Sequence, residues 1–220
     1  MENYQDEIFD FLTTPEHFKQ VLAIQEHTPM LRLKLIHEFW LKVAQGMEHE
    51  LSQGEYRSQN WKVEFSQKND VEVTCRAAYP KLMAYLPHWK KATEELPLLF
   101  IGFDHIAGVG NPRHCIATVW INFHFRREKA DYWKRVPTDE EIRGLAKQEG
   151  DESPSDWCFR KSAMTSVSFD QNLTQAYEQL LPQRRGPVVE EFISAFKEML
   201  KFYEEKLVLI YGENMADIIK

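Results

Sequence analysis

Three histidines and their neighbours are the residues of this chain best suited to chemistry. Asp104-His105 and His114-Cys115 stand at the two ends of a glycine-bearing loop, and His124 lies in the strand-like stretch that follows. If the strands before and after the loop pair, His105 and His114 approach one another. A His/Asp/Cys group of that kind can ligate a metal or exchange protons near neutral pH. The spacing matches no specific ligand set, and a histidine near a sheet edge is more often simply half-exposed. The group therefore carries the alternative reading: a small metal-dependent hydrolase or nuclease with a non-standard His/Asp site.

Other catalytic patterns start and fail. His37-Glu38 opens like H-E-x-x-H on a helix, but the turn that needs the second imidazole has Leu41. Gly108-Val109-Gly110 follows a strand, yet Arg113 stands where a dinucleotide loop has its third glycine, and a strand rather than a helix comes next. Neither a phosphate-binding G-x-x-x-x-G-K-[ST] nor a nucleophile elbow G-x-S-x-G occurs. A strand-borne nuclease site needs two carboxylates for Mg²⁺ and a nearby lysine. Asp70 and Glu72 are followed by Thr74, and Glu64 by Ser66, so the lysine is missing. No catalytic residue, metal or cofactor is assigned, and the enzyme question leans towards no.

Binding has better candidates. Cys115 to Phe125 is rich in β-branched and aromatic residues and reads as the central strand. Val119, Ile121, Phe123 and Phe125 point one way and Trp120, Asn122 and His124 the other. The first set can face helices; the second is mixed, like a sheet face that receives a partner. Arg126, Arg127, Lys129, Lys134 and Arg135 follow, interleaved with Tyr132 and Trp133. Cations among stacking rings suit single-stranded nucleic acid. A solvated loop with Trp133 packed inward is the plainer reading of the same residues. The expected binding residues are Trp120, Asn122, His124, Arg126, Arg127, Lys129, Trp133, Lys134 and Arg135.

These residues must be positioned by the elements around them. Residues 2–12 have the pattern of a short helix. Thr14-Pro15 and Thr28-Pro29 are both helix-start signals, which predicts two helices in succession. In the second, Leu33, Ile36, Trp40, Val43, Met47 and Leu51 recur at helical spacing, widened by Leu35 and Phe39. The period then falls to two. Trp61, Val63 and Phe65 alternate with Lys62 and Glu64, and Val71, Val73, Cys75 and Ala77 with polar residues, which predicts a hairpin. A helix is expected from Lys81 to Glu95, an inner strand over Leu98–Phe103, re-entry into the core at Trp157-Cys158-Phe159, and a last strand over Met164–Phe169. A short helix, Asn172–Leu181, and a strong one opened by Pro187 close the chain.

The expected fold is α+β: a central, mostly antiparallel sheet of four or five strands with N-terminal and C-terminal helices packed on it. It forms one domain over 1–220, with a helical part at 1–53, a sheet core at 60–125, an irregular charged insertion at 126–162 and a mainly helical part at 163–220. A net charge of −7 argues against a general nucleic-acid coat but leaves room for a local basic patch. Three cysteines without a C-x-x-C and an acidic start suggest a cytoplasmic protein. No apolar run reaches the roughly 18 residues of a membrane span.

The order of a long amphipathic helix (Leu31–Leu51), a Trp61-x-Val63-x-Phe65 strand, a Leu99-x-Ile101-Gly102-Phe103 strand and a Trp-bearing strand and loop resembles the accessory region of PD-(D/E)XK-type proteins of prokaryotic defence and mobile elements. The resemblance covers about residues 30–160 and rests on packing motifs. Since the nuclease signature is missing, it implies a sensing or docking module, of prokaryotic or phage-defence type. The expected function is thus a non-enzymatic interaction or regulatory module. It binds a protein partner, or nucleic acid, through the polar sheet face and the basic loop, with no membrane association.

Overall fold

The stripe from Leu33 to Leu51 does what its spacing demands. In the computed structural model every one of its apolar positions, Leu35 and Phe39 included, is buried. The structure describes residues 10–75, 80–90, 96–97, 99–106, 115–121, 140, 144, 158–164 and 174–208. The stripe belongs to α1, Pro15–Leu51, a single helix of 37 residues and about 55 Å at 1.5 Å per residue. The second start signal does not divide it. Pro29 lies inside the helix, on an exposed turn where water can reach the carbonyl its missing N–H leaves unbonded. Thr28 turns its hydroxyl back to the Ile24 carbonyl at 2.6 Å rather than capping a new helix.

Five strands follow, each antiparallel to the next in chain order: β1 (Lys62–Phe65), β2 (Lys81–Tyr85), β3 (Leu99–Asp104), β4 (Cys115–Ile121) and β5 (Cys158–Met164). The expected central strand is β4, fourth in order and paired on both sides. Its alternation holds where it is described: Val119 lies opposite Ile101, and Trp120 opposite Phe100.

The partner of β1 is not the expected one. Val71–Cys75 forms a short helix, α2. Asp70 starts it, taking the Val73 N–H on its side chain at 3.0 Å and the Thr74 N–H on its carbonyl at 2.9 Å. Val71 packs against the core, Thr74 is buried and Val73 is exposed, which is helical rather than alternating burial. The strand beside β1 is β2, within the stretch expected to be a helix. All five of its residues are buried, as on an inner strand with both faces covered, Lys81 through its pairing with Asp104. Pro87 opens only a 3₁₀ turn, Pro87–Trp89. The last strand runs from Cys158 and ends at Met164, where the sequence had it begin. Arg160 and Lys161 keep this stretch out of an apolar count.

Two helices close the described chain, α3 (Thr174–Gln179) and α4 (Arg185–Phe202). Helices α1 and α4 run side by side in the same direction: Arg185 bonds Glu38 at 2.8 Å, Ile193 overlies Gly46, and Lys197 reaches Glu50 at 3.2 Å. Gly46 permits the approach, since a Cβ there would stand 2.5 Å from Ile193 Cδ1. Both helices lie on one face of the sheet, where Phe103 of β3 meets Trp40 at 5.8 Å and Phe192 at 5.2 Å between ring centroids.

Candidate functional site

Register places the chemistry-bearing residues on the sheet face away from the helices. Lys81 of β2 lies opposite Asp104 of β3, and Gly102 opposite Thr118 of β4. The Lys81 ammonium donates to Asp104 Oδ1 at 2.7 Å, with both side chains nearly buried. The same carboxylate oxygen accepts the His105 N–H at 2.8 Å. That bond accompanies a left-handed backbone at His105, φ 56°, which is uncommon outside glycine. The ammonium also lies 5.5 Å from the centre of the Trp120 ring. The Asp104 carboxylate is thus engaged by Lys81, a residue expected in a helix, while the expected approach of His105 to His114 lies outside the described residues.

Cys115 is buried and reduced. Burial pushes its thiol well above the ordinary value, and the Asp104 carboxylate adds to the effect. A thiol held protonated is a poor nucleophile and a poor ligand. Among the described residues no three of His, Cys, Asp or Glu group to hold a metal ion. His114 and His124 lie outside them.

Of the expected binding residues, Trp120 is described, and it corrects the picture of an open face. It is 9% exposed and packs on Phe100 with ring centroids 5.1 Å apart. Met83, Phe100 and Thr118 around it are fully buried. The ring is enclosed and not offered to a stacking base or a partner. Asn122, His124, Arg126, Arg127, Lys129, Trp133, Lys134 and Arg135 lie outside the described residues.

A second polar group lies nearer β1. Glu64 accepts from Lys90 at 2.8 Å. Burial opposes its ionisation, but hydrogen bonds from Lys90 and Tyr85 outweigh it and hold the carboxyl below its ordinary value. Burial, with Glu64 beside it, raises the Tyr85 phenol. Partial desolvation holds the imidazole of His88, a residue with much of its surface exposed, below its ordinary 6.5. Both depressed groups stabilise the fold above their unfolded pKa relative to acid conditions, because the unfolded chain binds the proton more readily. Stability is thus expected to be lost in two stages as pH falls: through and below the ordinary 6.5 of His88, then below the ordinary 4.5 of Glu64. Urea midpoints across the acid range check this; His88→Gln should flatten the first stage and leave the second.

The largest unexplained surface is elsewhere. From residue 10 to residue 32 no position is buried. Phe11, Leu12, Phe18, Leu22, Ile24, Met30 and Leu31 are nevertheless there, 37–67% exposed. Phe18 and Leu22 continue the line of Ile36, Trp40, Val43 and Met47, but beyond the point where the sheet and α4 cover it. Ile24 with Leu31, and Met30, lie on other sides of the same helix. A helix apolar on several sides is normally enclosed. Phe18, Leu22, Ile24, Met30 and Leu31 share one uninterrupted helix because Pro29 does not break it, whereas Phe11 and Leu12 precede its start.

No family model matches the chain, and neither a curated protein nor a solved structure matches it. No helix among the described residues is long and apolar enough to cross a membrane.

Proposed function

We propose that the chain is a non-enzymatic interaction module of cytoplasmic, prokaryotic or phage-defence type, and that a protein partner encloses the N-terminal half of α1. The observation carrying this reading is the five large apolar side chains, Phe18, Leu22, Ile24, Met30 and Leu31, exposed on the part of α1 that has no buried residue from 15 to 32, with exposed Phe11 and Leu12 just before it. Single exposed apolar residues are ordinary, whereas a concentration of them marks a docking surface. The apolar positions on several sides favour a partner that wraps the helix over one that presents a flat face.

A photo-crosslinker at Leu22 identifies the partner, which is then purified and titrated against the wild-type chain and the Phe18→Asp/Leu22→Asp variant. We expect affinity to fall about a hundredfold or more, as when central apolar anchors are lost, with thermal stability unchanged because neither residue is buried. Equal binding by the variant, or no association of the purified proteins, rejects the arm as the docking element.

The nucleic-acid reading rests on the interleaving of Arg126, Arg127, Lys129, Lys134 and Arg135 with Tyr132 and Trp133. Single-stranded oligonucleotide titrated over a salt series tests it. Phosphate contact gives a steep loss of affinity with salt, and no binding at low salt rejects it.

A further inference from the structure

Strand β1 is an edge, and its outer side is only partly closed. Glu64 and Lys62 lie opposite Met83 and Tyr85, and the Ser66 N–H donates to the Lys81 carbonyl at 3.0 Å. By the alternation of an antiparallel ladder, the even-numbered residues of β1 bond inward to β2 and the odd-numbered ones point their N–H and C=O outward. Phe65 confirms the phase, because its N–H is taken by Asn69 Oδ1 at 3.0 Å. Val63 remains, with an outward N–H and C=O and no partner for either among the described residues.

Two open cavities border the strand there, one lined by Val63 and the other by its neighbour Glu64. On the helix side, one of about 380 Å³ is walled by Tyr56, Arg57, Trp61 and Val63, with Glu48 at its rim. On the other side, one of about 270 Å³ is walled by Glu64, Lys68, Asn69 and Lys90. Trp61 is fixed as a wall by edge-to-face contacts with Trp89 at 5.3 Å and Tyr203 at 5.9 Å. Arg57, Lys62 and Lys68 are exposed and form no salt bridge among the described residues, whereas Glu64 is already neutralised by Lys90. Arg57, Lys62, Lys68 and Lys90 thus face two carboxylates around the cavities, Glu48 and Glu64, which leaves the edge locally cationic in a chain of net charge −7.

We propose that the outer edge of β1 receives a short extended peptide segment with acidic side chains as an added strand. Successive side chains of such a strand point to opposite faces, which matches one cavity per face. Main-chain bonds to Val63 supply affinity and the two cavities supply selectivity, as in strand addition generally. The cap on Phe65 limits pairing to a short segment and discourages edge-to-edge aggregation. This site is separate from the α1 arm and does not depend on it.

Selection of random octapeptides displayed on phage against the intact chain, with counter-selection on Val63→Pro, tests the proposal. A proline is tolerated where the N–H points away from the ladder, and circular dichroism confirms the variant's fold. Arg57→Glu/Lys68→Glu is a second variant that leaves the backbone untouched. We expect enriched peptides with Asp or Glu at alternate positions that slow hydrogen exchange at the Val63 amide. They should bind both variants at least about tenfold more weakly and lose affinity with salt, as edge pairing and charge contact require. No enrichment over counter-selection overturns the proposal. So do peptides indifferent to both variants, or helical peptides that map to residues 11–31. A doubling of the free chain's mass that Val63→Pro abolishes gives the edge to a second copy instead, and equally overturns it.

Discussion

Replacing Asp104 by alanine is expected to lower the unfolding free energy by about 3–5 kcal/mol, the usual cost of leaving one partner of a buried ion pair uncompensated. For a chain of this size that is a fall in melting temperature of about 10 °C. The cost arises on both sides of the carboxylate. The Lys81 side chain is 7% exposed, so water cannot take the place of the lost carboxylate oxygen. The His105 N–H loses its acceptor while its backbone remains in the left-handed region. Asp104→Asn, which keeps an acceptor but not the charge, should fall between alanine and wild type. The pair is weak evidence for stability as such, because exchanging both members for apolar residues of similar volume is often neutral or better. Lys81→Met/Asp104→Leu should therefore recover most of the loss. Urea denaturation of the four proteins decides it: a loss below about 1 kcal/mol for Asp104→Ala would place the pair in solvent, where such contacts contribute little.

That ion pair also shows what the sequence could and could not reveal. Helical stripes were readable because burial on one side leaves a repeat of three and four. The stripe Leu33, Ile36, Trp40, Val43, Met47 and Leu51, and Phe192, Phe196 and Met199 of α4, are buried as their spacing requires. Strands β3 and β4 were readable as apolar runs with β-branched and aromatic residues. Strand β2 was not, since Lys81-Leu82-Met83-Ala84-Tyr85 contains good helix formers and no β-branched residue. Its conformation is imposed by pairing with β1 and β3, which no local pattern encodes. With the β2 residues expected in a helix, Lys81 has no reason to meet Asp104, and the alternation of Val71, Val73, Cys75 and Ala77 points to a hairpin strand where Val71–Cys75 is helical. Asp70 was the overlooked local signal, an N-cap residue directly before Val71.

The binding surfaces were less legible than the fold, for a related reason. Alternation correctly put Val119 and Trp120 on opposite faces, but alternation cannot say whether a face is covered. Trp120 is buried. Conversely, Phe18 and Leu22 have the spacing of core residues and are exposed. Period identifies a face, and only tertiary contacts identify what lies against it.

Gly102 carries the other large expected effect. It lies on β3 between Met83 of β2 and Thr118 of β4. A Cβ built there would collide with the carbonyl oxygen of Leu82 and stand 3.3 Å from the Met83 Cα. These are backbone atoms of the paired strand, so no rotamer change relieves the overlap and the two strands must separate. Gly102→Ala is expected to cost about 3 kcal/mol, the upper end of overpacking penalties, and Gly102→Val about 4 kcal/mol or more. Gly186→Ala is the control, since a Cβ in the first turn of α4 meets nothing within 4 Å; it should be neutral or slightly stabilising. Separation of β2 from β3 also moves Lys81 away from Asp104, because the two residues face each other in the same register. Gly102→Ala and Asp104→Ala should therefore be non-additive, the double variant losing less than the two single losses together by about 1 kcal/mol or more. A Gly102→Ala chain that unfolds at the wild-type urea concentration would show that β2 and β3 are not in the close contact described, and strict additivity that the register does not join the two sites.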